Sequence, residues 1–528
     1  MDLIPLLDIV LALAMALWVP LLAGAAFGRG PQAGGPWSRA LLWGAGIAAG
    51  LGMAFAPGSL WGLALALPWF LGSLGLALMG ARRLALWAYD DGAQAAVGLG
   101  ALLLPVGSVW MLATHLSAPF LGFAEPWKVL TAIHFHYSAF LTLVACGLLM
   151  GRLPAPSALR RNFAWALPFY VLGLMLVAVG LQGHRTIEVT GVTVLVSAGL
   201  LILGSLLGGS KDLGLSTTRL IVLRFALVAG CVGFSFALLY QLRLPWLQAI
   251  DQMLATHGLL QAGLLVPGLV LSALALPPSP RSREDIPFSR LKAAWTVGPD
   301  YFRRLGAGAS GPRGLVDDFA AFKRRDFDPA RVPKPIADFY ENTLAYRLDV
   351  RVKAAPWFAS AWAGPVGRAF KAMQQLNLPS TDETMLGSLC PIPQALDGRV
   401  KPRGWVRVDA QAASAVYVAA YAIHQAAGET FMNISFPLPF SNMTSILQVR
   451  HLDEVNGLRL SSRLSATGPG HQGVYLVFQG LGLRLPLDET IDVWLDGELR
   501  AQHKMWFFGV EYLCLDYFMV KQGGAPKR

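Results

Sequence analysis

Leu130-Thr-Ala-Ile-His-Phe-His-Tyr-Ser-Ala-Phe-Leu-Thr-Leu-Val-Ala-Cys-Gly-Leu-Leu-Met150 contains no Asp, Glu, Lys or Arg. A run of that length spans a bilayer core, which takes about 20 apolar residues in α-helix. Reading outward for the same length gives further apolar segments near 5–27, 38–57, 59–80 and 93–118. The series continues with 128–151, 163–182, 187–208, 219–240 and 253–276. Residues 1–280 are therefore expected to form a polytopic helical membrane domain of about nine spans.

Composition agrees. Of the 528 residues 54% are hydrophobic and 14% charged, with a mean hydropathy of +0.49. Soluble chains carry about a quarter charged residues. Charges return at ordinary density from Arg281 onward, so 281–528 is expected to be a separate water-soluble domain. Between the two, 277–290 is rich in Pro and charge and reads as an exit linker. The net charge of +11 is assigned to loops facing the cytoplasm and not to nucleic acid, for which no motif is present. Cys146, Cys231, Cys390 and Cys514 show no ligand or disulfide spacing.

The first helix carries Asp2 and Asp8 in place of a basic leader, so it reads as a retained span with its N-terminus outside. With that orientation Arg29, Arg39, Arg82, Arg83, Arg152, Arg160, Arg161, Lys211 and Arg219 fall in inner loops. Only Lys128, Arg185 and Arg243 fall outside, the asymmetry of the positive-inside rule. An odd number of spans then places the second domain in the cytoplasm. Pro68, Pro105, Pro168 and Pro267 lie within spans and permit kinks.

Five histidines, His115, His134, His136, His184 and His257, map to the outer leaflet or its edge, with Glu125, Glu188 and Asp251 at the same level. Ionisable residues at membrane depth are costly and point to a site. Imidazole suits metal ligation, proton relay or polar contact with a ligand. His134 and His136 stand about 200° apart on a helix and cannot share one ligand. His134 shares its face with Tyr137 and Ser138, and His257 stands one turn from Gln261. The candidate ligand-binding set is thus His134, His136, Tyr137, Ser138, His257 and Gln261. The candidate metal ligands are His115, His134, His184 and His257. Interhelical hydrogen bonding without chemistry is the plain alternative.

Residues 130–140, with their His-Phe-His-Tyr, resemble the signature of YndJ-like bacterial membrane proteins. Ala255-Thr-His-Gly-Leu-Leu-Gln-Ala-Gly263 resembles their later His-Gly segment, with Gln261 where that family has Asn. The resemblance implies a membrane domain followed by a soluble one, in a family often labelled transporters without an established substrate. It supports His134, His136 and His257 as a site and names no reaction.

In the second domain, helices are expected from Ile336 to about Gln375 and strands beyond Gly404. Asn456-Gly457 and Asp496-Gly497 are hairpin signals joining 446–452 with 458–464 and 491–495 with 499–508. The expectation is an α+β domain with a curved antiparallel sheet. It is rich in aromatics, among them Tyr475, Phe478, Trp494, Trp506, Phe507, Phe508, Tyr512, Tyr517 and Phe518, and could enclose an apolar ligand such as a lipid. Glu511 and Asp516 are placed on the last strand, and His424, His451, His471 and His503 show no spacing that implies a site. GxSxG, P-loop and HExxH motifs are absent.

Three functions follow as expectations: a carrier of a small or lipid-like ligand, a membrane metal- or haem-dependent enzyme using the same histidines, or a lipid-binding sensor. The expected partners are the lipid bilayer and a small-molecule or lipid ligand, in a bacterial inner membrane; the cofactor is unknown.

Overall fold

The computed structural model describes residues 4–28, 36–244, 246–277, 279, 281–308, 311–377, 383–411, 414–465 and 468–522. Arg29, counted above among the inner-loop charges, and Pro278 and Pro280 of the linker lie outside them. The chain divides into two compact units, Met1–Ser279 and Pro280–Arg528.

Among the described residues eight helices, one fewer than the expected nine, are long and apolar enough to cross a membrane. They are α1 (Ile4–Phe27), α3 (Leu60–Trp87), α4 (Gly92–Thr114), α5 (Trp127–Met150), α6 (Ala158–Gly180), α7 (Arg185–Leu213), α8 (Thr217–Gln241) and α9 (Ile250–Leu274). A further apolar helix, α2 (Pro36–Gly52), has 17 residues and packs against α1 and α3. Small residues set the close approaches: a Cβ on Gly80 of α3 would meet the Gly98 carbonyl oxygen of α4 at 2.6 Å. With lipid as apolar as leucine, such contact is what draws membrane helices together.

Few polar pairs are buried here, and each has partners. Asp91 caps α4 at the Ala93 amide (3.0 Å) and pairs with Arg160 of α6 at 2.6 Å. Lys128, 3% exposed, donates to the carbonyls of Ala113 (3.1 Å) and Leu116 (2.8 Å) and pairs with Glu125 at 3.3 Å.

Three spans contain π-helical stretches, Ala14–Trp18, Phe135–Thr142 and Leu254–Leu265. Two end just before a proline, Pro20 or Pro267. Proline withholds an N–H and crowds the carbonyl one turn back, and a wider turn absorbs both effects. The stretch in α5 has no proline, and it carries the His-Phe-His-Tyr segment.

The second unit is an antiparallel sheet curved until it closes. Its strands are β1 (Tyr346–Ala354), β2 (Glu383–Pro391), β3 (Arg403–Asp409), β4 (Ala415–Ala426), β5 (Glu429–Leu438) and β6 (Ser441–Leu452). They continue as β7 (Gly457–Ser461), β8 (Gly473–Phe478), β9 (Leu481–Arg484), β10 (Leu487–Asp496), β11 (Glu498–Phe507) and β12 (Val510–Lys521). The ring runs β1-β2-β3-β4-β5-β6-β7-β10-β11-β12 and returns to β1. The first half of β6 pairs with β8, which pairs in turn with β9 as a side branch of the ring. Both expected hairpins form, with Leu452 opposite Gly457 and Asp496 opposite Glu498.

The stretch 336–375 is mainly helical as expected, with one strand inside it. It holds α10 (Lys334–Glu341), then β1, then a hairpin of α11 (Pro356–Ala363) and α12 (Pro365–Met373). Strands also begin before Gly404, because β1 is the partner that joins β12 to β2 and closes the ring. The linker is not free either. Arg283 is buried, donates to the carbonyls of Gly470 (2.6 Å) and Gln472 (2.8 Å), and lies against the Tyr475 ring at 5.5 Å.

Candidate functional site

In the bundle, the π-helical part of α5 sends successive side chains to different neighbours. His136 is fully buried: its Nδ1 donates to the Ala132 carbonyl (2.8 Å), and Trp69 Nε1 of α3 donates to its Nε2 (3.1 Å). Both ring nitrogens are therefore in use. Tyr137 donates its hydroxyl to the Val10 carbonyl of α1 at 3.0 Å, and the Ser138 carbonyl accepts from Tyr170 of α6 at 3.3 Å.

His134 faces another way, toward His257 of α9. Their rings lie 6.4 Å apart and within 15° of parallel. His134 Nδ1 donates to the Leu130 carbonyl (2.7 Å) and His257 Nδ1 to the Gly233 carbonyl of α8 (3.0 Å). A carbonyl can only accept, so both Nδ1 atoms carry hydrogen and both Nε2 atoms keep a lone pair. Gln261 fixes the same seam by donating to the Gly230 carbonyl at 3.0 Å. The seam needs Gly233, where an added Cβ would sit 3.0 Å from Gln261 Nε2.

The structure thus joins His134 and His257, with Gln261 as support, and sends His136, Tyr137 and Ser138 into helix–helix ties. His115 stands apart at the end of α4, buried, with Nε2 unpartnered, and His184 caps the start of α7 at the surface. Among the described residues no three His, Cys, Asp or Glu gather as metal ligands. The pair alone can accept hydrogen bonds or supply two nitrogens to a ligand.

The second site lies inside the barrel. Inward side chains leave a cavity of about 280 Å³, with α10 and the α11–α12 hairpin contributing Phe339, Phe358, Trp362 and Phe370 to its wall. Phe358, Trp362 and Phe370 stack in sequence at 5.2 and 4.9 Å, and Phe358 meets Tyr512 at 4.7 Å. Of the aromatics anticipated in strands, Tyr512 and Tyr517 line the cavity; Tyr475 packs on Phe288 and the linker, while Phe478 and Phe508 are exposed. Asp516 bonds Gln502 (2.8 Å) and Lys353 (2.7 Å) away from the lumen, and Glu511 is exposed.

Polar groups in the lumen are few and specific. Glu489 accepts from His503 at 2.6 Å and from the Ser445 hydroxyl. Burial pushes this carboxyl up, but those hydrogen bonds and the His503 charge together outweigh it and leave it below its ordinary value. The carboxylate stands between Ser445 and His503. A nucleophilic relay needs the histidine between the other two, so this trio is not arranged for hydrolysis. Asp488 pairs with Arg484 at 2.7 Å. Arg407, on β3 opposite Tyr417 of β4, is 8% exposed and lies against the rings of Trp405 (4.4 Å) and Tyr417 (4.3 Å).

Sequence reasoning missed Arg407, Glu489 and His503, because nothing near them in sequence forms a motif. The available signal was Trp405-Val-Arg407, an arginine in phase with an aromatic on an alternating strand. The other histidines are not scattered in space: His424 and His471 meet at 3.0 Å on the outer wall, and His471 reaches Asp285 of the linker at 3.3 Å.

The model of the family described as YndJ-like protein matches residues 9–264, which include both π-helical histidine segments. Over that stretch the chain resembles the YndJ-like family. It is similar to the uncharacterized membrane protein YndJ of Bacillus subtilis (strain 168), 28% identical over 438 residues. That match covers 80% of this chain and 78% of the relative, so it extends beyond the bundle into the barrel unit. No solved structure matches the chain.

Proposed function

We propose that the protein is a multi-pass membrane carrier of a lipid-like ligand, and that the barrel lumen is the compartment holding it. The supporting observation is the aromatic- and aliphatic-lined cavity of about 280 Å³. Barrel diameter grows with strand number, and about eight strands already enclose an interior that side chains just fill. A ten-stranded ring leaves room over, and here that room is lined for an apolar guest. In the bundle, the Nε2 atoms of His134 and His257 supply the polar contact, suited to a ligand hydroxyl or a proton. With the 17-residue α2 counted as a ninth span beside the eight longer helices, the loop charges favour an inner membrane with the N-terminus outside and the barrel in the cytoplasm. A topology reporter at Arg82 giving an outside signal would reverse that orientation.

The test is binding of the neutral fluorescent probe N-phenyl-1-naphthylamine to the full chain held in amphipol. Wild type is expected to enhance its fluorescence, and Ala501→Phe, which fills the lumen, to abolish the enhancement without lowering the melting temperature. Equal enhancement by both proteins would remove the lumen as the compartment. Flux into proteoliposomes then separates a carrier from a sensor using the same lumen. The metal-enzyme reading has less support, since no third ligand joins the histidine pair among the described residues.

A further inference from the structure

Among the described residues, Arg407 is the unbalanced charge of the lumen. It is 8% exposed, yet no carboxylate of the described residues lies within ion-pair reach and its buried Nε–H has no acceptor. The two carboxylates that line the cavity are engaged elsewhere, Asp488 with Arg484 at 2.7 Å and Glu489 with His503 at 2.6 Å. The rings of Trp405 and Tyr417 attract the guanidinium through their π faces, but they accept none of its hydrogens as an oxyanion would. A buried cation without a counter-charge is unfavourable, and an anion arriving beside it relieves that cost.

We propose that the lumen takes a singly charged amphiphilic anion, a medium-chain carboxylate, with Arg407 as its counter-ion. This rests on the lumen being the ligand compartment. One free cation calls for one negative charge, which argues against a diphosphate headgroup. Tyr517 shares a hydrogen bond with the Arg407 side chain and Tyr417 feels its charge; neither balances that charge, and burial keeps both phenols protonated, so their hydroxyls can donate to the same headgroup. The tail belongs among Leu348, Phe358, Trp362, Met432 and Val493. An engineered cavity of about 150 Å³ holds benzene, so 280 Å³ suits a ligand of roughly a dozen non-hydrogen atoms, the size of decanoate.

The experiment displaces N-phenyl-1-naphthylamine from the full chain in amphipol with decanoate, decanol or acetate. Decanoate is expected to compete better than decanol by about tenfold or more, the worth of a charge-assisted hydrogen bond. Acetate is expected not to compete. Arg407→Met should bring decanoate down to the level of decanol, while Arg407→Lys keeps part of the preference. Without ligand, Arg407→Met should also melt higher than wild type, because it removes a buried unpaired charge; an arginine kept for structure alone would melt lower on removal. Equal competition by decanoate and decanol in wild type overturns the proposal, and that comparison stands even if Arg407→Met does not fold. Acetate competing as well as decanoate overturns the amphiphile and leaves a small-anion site. Failure of the fluorescent probe to bind at all defeats the lumen reading itself, a different result.

Discussion

His134 and His136 are two residues apart and do different work. His136 accepts from Trp69 and donates to Ala132, so its tautomer is set by two fixed partners. Trp69→Phe leaves that Nε2 buried and unpaired, and is expected to destabilise the bundle by about 1–3 kcal/mol. His134→Ala removes an accessible ring and should leave thermal stability in amphipol nearly unchanged. If the two variants melt alike, the division of roles is wrong. In the barrel wall, burial first and the neighbouring His471 charge second push His424 down to about 3. Its ordinary value is 6.5, so the fold favours the neutral ring. That stabilisation is complete above pH 6.5 and is lost as pH falls toward 3. Denaturant midpoints of the barrel transition from pH 7 to pH 4 should fall in wild type and fall less in His424→Gln.

Helix α9 owes the placement of His257 to a long π-helical stretch and to its seating on α8. The π turns precede Pro267, and the seat is made by the Gly230 and Gly233 carbonyls. Gly233→Val crowds Gln261 and is expected to cost about 1–2 kcal/mol through loss of the seam hydrogen bonds. Thermal unfolding in amphipol measures this, and an unchanged midpoint would mean that Gln261 moves aside freely. The α11–α12 hairpin shows the opposite situation. It has no buried residue, yet Phe358, Trp362 and Phe370 form part of the cavity wall. Its amphipathic spacing reads correctly as helix in sequence. The lumen those aromatics border is visible only once β1 is found between α10 and α11, a strand whose Lys and Arg residues conceal its alternation.

Across the barrel unit, one buried ion pair ties the chain leaving the linker to the wall. Arg399 meets Asp397 through two bonds of 2.6 and 2.8 Å and continues to the Asn433 and Ala420 carbonyls. Ser289 donates to the same carboxylate at 2.8 Å. Asp397→Ala strands a fully buried guanidinium and is expected to lower barrel stability by about 3–5 kcal/mol. Denaturant unfolding followed by the barrel transition checks it; a loss under 1 kcal/mol, by the same scale, would mean that water reaches Arg399.

The sequence by itself determined the membrane bundle, the curved antiparallel sheet and the two Xaa-Gly hairpins. These are one-dimensional signals: a span announces itself by an unbroken apolar run, and a tight turn by the residue that tolerates it. It also raised His134 and His257 as candidates for a site, because ionisable residues are costly at membrane depth. Helix geometry already turned His134 and His136 apart, but only tertiary packing decided that their neighbours are His257 and Trp69. It alone closed β1 onto β12 and brought Trp405, Arg407 and Tyr417 together with Tyr517 from the far end of the chain. Ring closure and charge balance depend on which distant strands become neighbours, and no local pattern carries that information.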